Sequence, residues 1–308
     1  MRLRVVFMGT PEFAVPALKA VHLEHEVVAV YTQPDRPVGR GLEMRASAVK
    51  KAALELGLPV AQPEKLSLPG EFERLQALRP DVIVIVAYGQ ILRKNVLELP
   101  RLGCINIHSS LLPRWRGAAP IQWAILGGDT ETGVSTMYLV EKLDAGDVLL
   151  QAKTPIGPSD TAGSLHDRLM ALGSQLILPT LTGLAEGTLP RISQNETQVT
   201  TASKLTKEME VLNPEEPAVV LDRKIRALNP WPGTSIWVGS DKQRLKIKQA
   251  TLSLNVSGNA GELFDRDGKL YLGTTEGSLE LQRIQWDGKR EVDAAAFLNG
   301  MRGKGLKS

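Results

Sequence analysis

The stretch Val82-Ile83-Val84-Ile85-Val86-Ala87 decides the fold class. An unbroken apolar run, mostly β-branched and without polar residues at alternate positions, belongs to a strand covered on both faces. Working outward, Arg4 to Met8, Val27 to Thr32 and Cys104 to His108 read the same way, apart from polar residues at their ends. Between them Pro11 to Glu24, Ser47 to Glu55 and Glu71 to Leu78 carry apolar residues at helical spacing. Thr10-Pro11 has the form of an N-cap followed by proline at the first helical position. Two more strands are expected near Ser135 to Leu139 and Val148 to Pro155, then a helix from Thr161 to Glu186. Strands alternating with helices predict an α/β fold, a doubly wound, mostly parallel, Rossmann-like sheet. Such sheets bind ligands at the carboxyl ends of their strands.

Beyond this half the pattern changes. Gly187 to Gln198 is polar, contains Pro190 and suits a linker. A helical segment near Pro217 to Leu228 runs into the stiff turn Asn229-Pro230-Trp231-Pro232-Gly233. Short alternating strands follow at Thr234 to Val238, Arg244 to Leu254, Gly261 to Phe264, Lys269 to Gly273 and Ser278 to Gln285. Asp265-Arg266-Asp267-Gly268 and Thr275-Glu276-Gly277-Ser278 are the turns between them. This predicts a small closed β-barrel, with the oligonucleotide-binding (OB) barrel as one candidate. The expected domains are 1–187, a linker over 188–206, and the barrel over 207–308.

The whole chain narrows the function classes less than its parts do. It has 308 residues, 43% of them apolar and 23% charged, which excludes general disorder. The single cysteine, Cys104, excludes an intrachain disulfide and reads as a small buried hydrophobe. With only four histidines besides, a structural zinc site is not expected, and no metal is. His22 and His25 fall near a helix C-terminus and carry no ligand role. No segment approaches the apolar length of a membrane span or the shape of a targeting signal, so a cytoplasmic location is expected; a monomer is expected as well. The formal net charge of +3 is too small to name a partner.

The fold invites a dinucleotide, but Gly9-Thr10-Pro11-Glu12-Phe13-Ala14 offers one glycine where such a loop needs three. Asp35, at the place of a ribose-binding acid, then reads as a solvated loop acid. The stronger signal is Cys104-Ile105-Asn106-Ile107-His108. In a strand Asn106 and His108 share one face, and polar side chains there are costly unless bonded or used. A satisfied core histidine fits the same pattern. Asp144, in Leu143-Asp144-Ala145-Gly146-Asp147, is either a partner for His108 or a plain turn aspartate.

Asn106, His108 and Asp144, with Ser110-Leu111-Leu112-Pro113-Arg114-Trp115-Arg116-Gly117, resemble the core of the folate-dependent formyltransferases. Gly9 to Pro16, Gln33 to Gly41 and the Asn229 to Gly233 turn resemble the branch of that family directed at initiator tRNA. The resemblance runs from Val5 to the end of the chain. It implies transfer of a formyl group from 10-formyl-tetrahydrofolate, as cosubstrate, to the amine of the methionyl moiety of initiator methionyl-tRNA. Asn106 and protonated His108 would donate to the formyl oxygen as negative charge develops on it. Asp144 would favour the imidazolium and help carry protons from amine to folate nitrogen. Ser110, Leu111, Leu112 and Pro113 would line the folate pocket, and Tyr88, Gly89, Gln90, Ile91 and Leu92 would help enclose the pterin.

The tRNA side rests on two other elements. Gln33 to Ala46 is a long loop holding Arg36, Arg40 and Arg45, and long loops in compact domains are usually functional. In the resemblance Arg40 matches the key arginine of the insertion, although Leu42 and Glu43 stand where lysines often follow. In the barrel, Arg244, Lys246 and Lys248 alternate with Leu245 and Ile247, so three cations share a strand face. That face reads as a solvated exterior on its own, and as a phosphate contact given the barrel. Two other readings remain: a formyltransferase acting on a nucleotide-sugar amine, and a non-catalytic RNA-binding protein on the same scaffold.

Overall fold

The computed structural model describes residues 2–38, 43–239 and 243–301. It divides into two compact units, one comprising residues 1–120, 131–155 and 166–202, the other 121–130, 156–165 and 203–308.

The first unit is built on a seven-stranded sheet. Its parallel part contains β1 (Arg4–Gly9), β2 (Glu26–Tyr31) and, after the two short strands β3 (Arg36–Val38) and β4 (Glu43–Arg45), β5 (Val60–Ala61). β6 (Val82–Val86) and β7 (Cys104–His108) complete that part. The two-residue β8 (Arg116–Gly117) lies apart, and β9 (Glu131–Tyr138) and β10 (Val148–Pro155) return to the main sheet. The order is β10-β9-β7-β6-β1-β2-β5, with β9 antiparallel to β7 and β10 antiparallel to β9. Every residue of β6 is buried, as its unbroken apolar run requires. Helices α1 (Val15–Glu24), α2 (Ala48–Glu55), α3 (Glu71–Ala77) and α4 (Lys94–Leu97) connect these strands. α5 (Pro120–Leu126), which after its first residue belongs to the second unit, precedes β9, and α6 (Ala162–Glu186), whose first four residues also belong there, follows β10. Thr201–Ala202 forms β11, which pairs with β8.

Two local expectations change. Thr10 does not cap a helix: its hydroxyl donates to the Tyr88 carbonyl at 2.9 Å, and the chain makes a 3-10 turn over Glu12–Ala14 before α1 begins. Asp35 is no free loop acid. Lys50 Nζ at 2.6 Å and Gln62 Nε2 at 2.8 Å bond its carboxylate, and these bonds hold it below the usual carboxylate range.

The second unit contains α7 (Ala218–Ala227) and an antiparallel sheet of β12 (Thr234–Val238), β13 (Gln243–Ser253), β14 (Leu263–Arg266), β15 (Lys269–Gly273) and β16 (Ser278–Trp286). β17 (Val292–Asp293) pairs with β16 and leads into α8 (Ala294–Met301). The 11-residue β13 pairs with β12 at one end and with β16 along its length, shifting register about Gln249. Such irregularities bend a strand, and this one curls the sheet around Leu221, Ile236, Leu245, Leu270, Leu279 and Ile284. Among the described residues no ladder joins β12 to β14, so the barrel, expected to be closed, stays open there. β14 and β15 meet through Asp267-Gly268, both at positive φ, the two-residue hairpin that an Asp-Gly pair favours.

Candidate active site

Asn106 and His108 lie on the same face of β7, with Ile105 and Ile107 buried on the other. His108, 6% exposed, ends the strand opposite Ser135 of β9. Its Nε2 lies 3.0 Å from the Trp115 carbonyl oxygen, and its Nδ1 lies 3.8 Å from Asp144 Oδ2. Both neighbours are acceptors, so each N–H the ring carries faces an oxygen. The Asp144 contact is electrostatic, being too long for a hydrogen bond. The same Oδ2 accepts the Gly117 N–H at 2.8 Å, so the acid, 7% exposed, is bonded to the loop that follows β7. Asn106 is half-buried, and its amide has no hydrogen-bond partner among the described residues.

The loop from Ser110 to Gly117 is clamped from β9 and β10. Ser135, fully buried, donates through Oγ to the Ser110 carbonyl at 2.7 Å and accepts the Leu112 N–H at 3.1 Å. Gln151 Nε2 donates to Ser135 Oγ at 2.8 Å and to the Leu112 carbonyl at 3.0 Å. Ser110 Oγ in turn donates to the Arg114 carbonyl at 2.6 Å. Leu112 is buried against Met137 and Val148, which leaves the half-buried Leu111 and Pro113 at the loop surface. Ser135 and Gln151 were not singled out by the sequence, although a serine inside a buried strand is a signal of use.

Residues 88–92 leave β6 at the carboxyl end of the parallel strands, next to β7. They divide into two sets. Tyr88 and Leu92 are buried in the core with Met8, Tyr31 and Ile85, and Gln90 is tied to Leu66 N at 2.9 Å and the Pro63 carbonyl at 3.0 Å. Gly89 and Ile91 are exposed, Ile91 to 91%. Burial also raises the Tyr88 phenol above its usual range and pushes the Cys104 thiol up to about 12.

The candidate tRNA residues fall in both units. β3 and β4 form a hairpin that sets Arg36 directly opposite Arg45. Arg36 pairs with Glu64 at 3.0 Å, while Arg45 is exposed and has no partner among the described residues. Arg40 lies outside the described residues. In the second unit Arg244, Lys246 and Lys248 do alternate with buried Leu245 and Ile247. Glu210 takes Arg244 at 2.6 Å and Asp287 takes Lys246 at 2.8 Å. Lys248 has no ion-pair partner among the described residues and opens, with Arg223, onto a cleft of about 760 Å³. No group of three or more metal-ligating side chains occurs among the described residues. No helix among them is long and apolar enough to cross a membrane.

Residues 1–181 match the formyl transferase family, and residues 204–302 match the formyl transferase C-terminal domain, so the class is that of one-carbon transferases. The methionyl-tRNA formyltransferase of Halorhodospira halophila is 47% identical over 311 residues, covering 98% of this chain and 97% of that protein. The methionyl-tRNA formyltransferase of Pseudomonas paraeruginosa is 48% identical over 304 residues, covering 97% and 96%. The chain belongs to the methionyl-tRNA formyltransferase family. More distant likeness extends to HypX from Aquifex aeolicus in complex with tetrahydrofolic acid, with a TM-score of 0.66 at 19% identity. That match covers 99% of this chain but 48% of HypX, so the chain spans about half its length. An N-formyltransferase from Helicobacter canadensis, in complex with folinic acid and dTDP-3-aminofucose, matches with a TM-score of 0.67 at 19% identity, covering 91% and 99%. These two share the fold.

Proposed function

We propose that the chain transfers a formyl group from 10-formyl-tetrahydrofolate to the α-amine of methionine esterified to initiator tRNA. The observation that carries this reading is identity of 47–48% to methionyl-tRNA formyltransferases over nearly the whole of both chains. The geometry supports it: an amide with no partner among the described residues, a buried imidazole and a buried carboxylate lie together at the end of β7.

The residues present fit the folate cosubstrate. The Asn106 amide is half-buried with no partner among the described residues, and Gly89 and Ile91 offer open surface at the same end of the sheet. When bound, the folate supplies an activated formyl carbon and a nitrogen leaving group. Asn106 donates an N–H to the oxygen on which negative charge develops, and one such donor is worth about 3–4 kcal/mol of barrier. His108 Nε2–H, held here by the Trp115 carbonyl, reaches a substrate oxygen by exchanging that partner. Asp144 faces Nδ1 and fixes the ring; as the bond from the formyl carbon to the folate nitrogen breaks, the proton lost by the attacking amine passes to that leaving nitrogen, carried with the help of Asp144 through His108 or water. The loop Ser110, Leu111, Leu112 and Pro113 faces the folate through Leu111 and Pro113, while Ser110 and Leu112 anchor it from beneath, positioned by Ser135 and Gln151. Arg36, Arg40 and Arg45, with Arg244, Lys246 and Lys248, contact tRNA phosphates. In this reading 1–187 is the catalytic domain, 188–206 the connector and 207–308 the tRNA-binding domain of a cytoplasmic monomer.

The test supplies formyl-folate with charged initiator methionyl-tRNA, and separately with a dTDP-linked amino sugar. Formylation of the tRNA is expected, and His108→Ala should abolish most turnover while leaving tRNA binding intact. Transfer confined to the amino sugar would overturn the reading.

A further inference from the structure

The turn Leu143-Asp144-Ala145-Gly146 stands where the sheet alone does not put it. β9 ends with Tyr138 opposite Ile105, which lies three residues, about 10 Å, before His108 along β7. The connection from Tyr138 to Val148 must therefore fold back along the sheet for Asp144 to reach the His108 ring at 3.8 Å. Asp144 also takes a left-handed backbone, φ 47°, uncommon outside glycine although Asp adopts it more readily than most residues, and its surroundings bond the turn in place.

Those surroundings converge on one side chain. Gln194 Nε2 donates to the Asp144 carbonyl and to the Gly146 carbonyl, each at 2.8 Å. Its Oε1 accepts from Arg116 Nε at 2.9 Å. Arg116, 5% exposed, precedes Gly117, whose N–H donates to the Asp144 carboxylate. One amide thus bonds both the turn that carries the acid and the side chain of Arg116, the residue before the Gly117 N–H that holds the acid's carboxylate. Gln194 is itself anchored. Ile192 and Val148 exchange backbone hydrogen bonds at 2.9 and 3.0 Å, and Ser193 Oγ donates to Asp147 at 2.9 Å. Farther on, the Thr200 carbonyl accepts the Arg116 N–H at 2.9 Å.

We infer that Gln194 is the positioning residue of the acid: it sets the direction in which Asp144 presents its carboxylate to His108, and so controls turnover and not substrate affinity. The inference rests on the proposed roles of Asp144 and His108.

Three variants of the full chain test it: Gln194→Ala, Gln194→Glu and, as reference, Asp144→Asn. Gln194→Glu keeps the size and the acceptor facing Arg116 but loses both N–H donors, so it serves if Gln194→Ala fails to fold. Both Gln194 variants should lower kcat by about 10- to 100-fold, with KM for methionyl-tRNA and for formyl-folate within about twofold of wild type. A second readout is the imidazole ¹⁵N spectrum. The chain has four histidines, and His108 is assigned by the signal lost in His108→Ala. The His108 nitrogen shifts should move in the Gln194 variants in the same sense as in Asp144→Asn, which a loss of mere packing would not produce. If Asp144→Asn is slow while the Gln194 variants keep wild-type kcat and an unchanged His108 signal, the inference alone falls. A Gln194 effect confined to raised KM values also overturns it. If Asp144→Asn turns over at the wild-type rate, the reading of the acid is wrong and the inference falls with it.

Discussion

Replacing Ser135 by alanine should unfasten the loop beside His108. The hydroxyl is fully buried and takes part in three hydrogen bonds: to the Ser110 carbonyl, from the Leu112 N–H and from Gln151 Nε2. Gln151 keeps its bond to the Leu112 carbonyl, so its own loss is partial. The two backbone groups are left unpaired where water does not reach, and each such group costs about 1–3 kcal/mol. A loss of about 2–4 kcal/mol follows once some relaxation is allowed, or roughly 5–15 °C in Tm for a unit of this size. Gln151→Ala is the internal control. It leaves both Ser135 bonds to the loop backbone intact and should cost about 1 kcal/mol. The assays are calorimetric unfolding and steady-state formyl transfer with formyl-folate varied, where Ser135→Ala should raise the folate KM more than Gln151→Ala does. Ser135→Ala within about 0.5 kcal/mol of wild type, with an unchanged folate KM, would show that the loop is held by something other than this serine.

Gly146→Ala should lose most turnover and lower Tm, because a Cβ there would sit 1.9 Å from the Tyr138 carbonyl oxygen, a backbone atom that cannot swing aside; calorimetry with a kcat measurement checks it. Burial holds His25 below the usual histidine range, and its Nδ1 accepts the Leu3 N–H at 3.4 Å, which requires that nitrogen to be unprotonated. The unfolded chain therefore binds the proton first as pH falls, so this contribution is complete above the ordinary histidine value of 6.5 and is lost progressively below it. Denaturant unfolding from pH 7.5 down to pH 5 should show a shallower acid loss in His25→Leu than in wild type, and identical slopes would refute it. Lys248, unlike Arg244 and Lys246, has no ion pair among the described residues to give up on meeting a phosphate, so Lys248→Ala should weaken tRNA binding and reduce its salt slope by about one; a titration of Kd against salt decides it.

Much of the fold was legible because its signals were local. β7 runs over Cys104–His108 as its apolar run indicates, β10 spans the expected Val148–Pro155, and the Asp267-Gly268 hairpin is where an Asp-Gly pair puts it. Thr10 was misread because a threonine before a proline has the form of a cap, and only the folded chain shows the Tyr88 carbonyl that takes its hydroxyl. The histidine at position 25 was equally opaque, since its burial comes from tertiary packing and not from its place near the end of α1. At the site, Asn106 and His108 were visible through period-two alternation, and the structure sets Asp144 beside the ring. The groups that hold them were hidden for a reason of distance in sequence. Ser135 acts on residues 23 and 25 positions away, and Gln194 acts on residues 48, 50 and 78 positions away. A glutamine in a polar stretch carries no periodic or spacing signal.

The folded-back Asp144 turn bears on where the chain can be cut. The matched formyl transferase region ends at residue 181, which includes Asn106, His108 and Asp144. A fragment ending there would lack Gln194, the Ile192 bridge to Val148 and the β11 strand that pairs with Arg116–Gly117. It would keep the sheet and the three side chains but not the support that aims the acid. The smallest excised piece able to hold the site in this arrangement extends through Ala202, and during synthesis the acid gains its anchor only after α6 has been made.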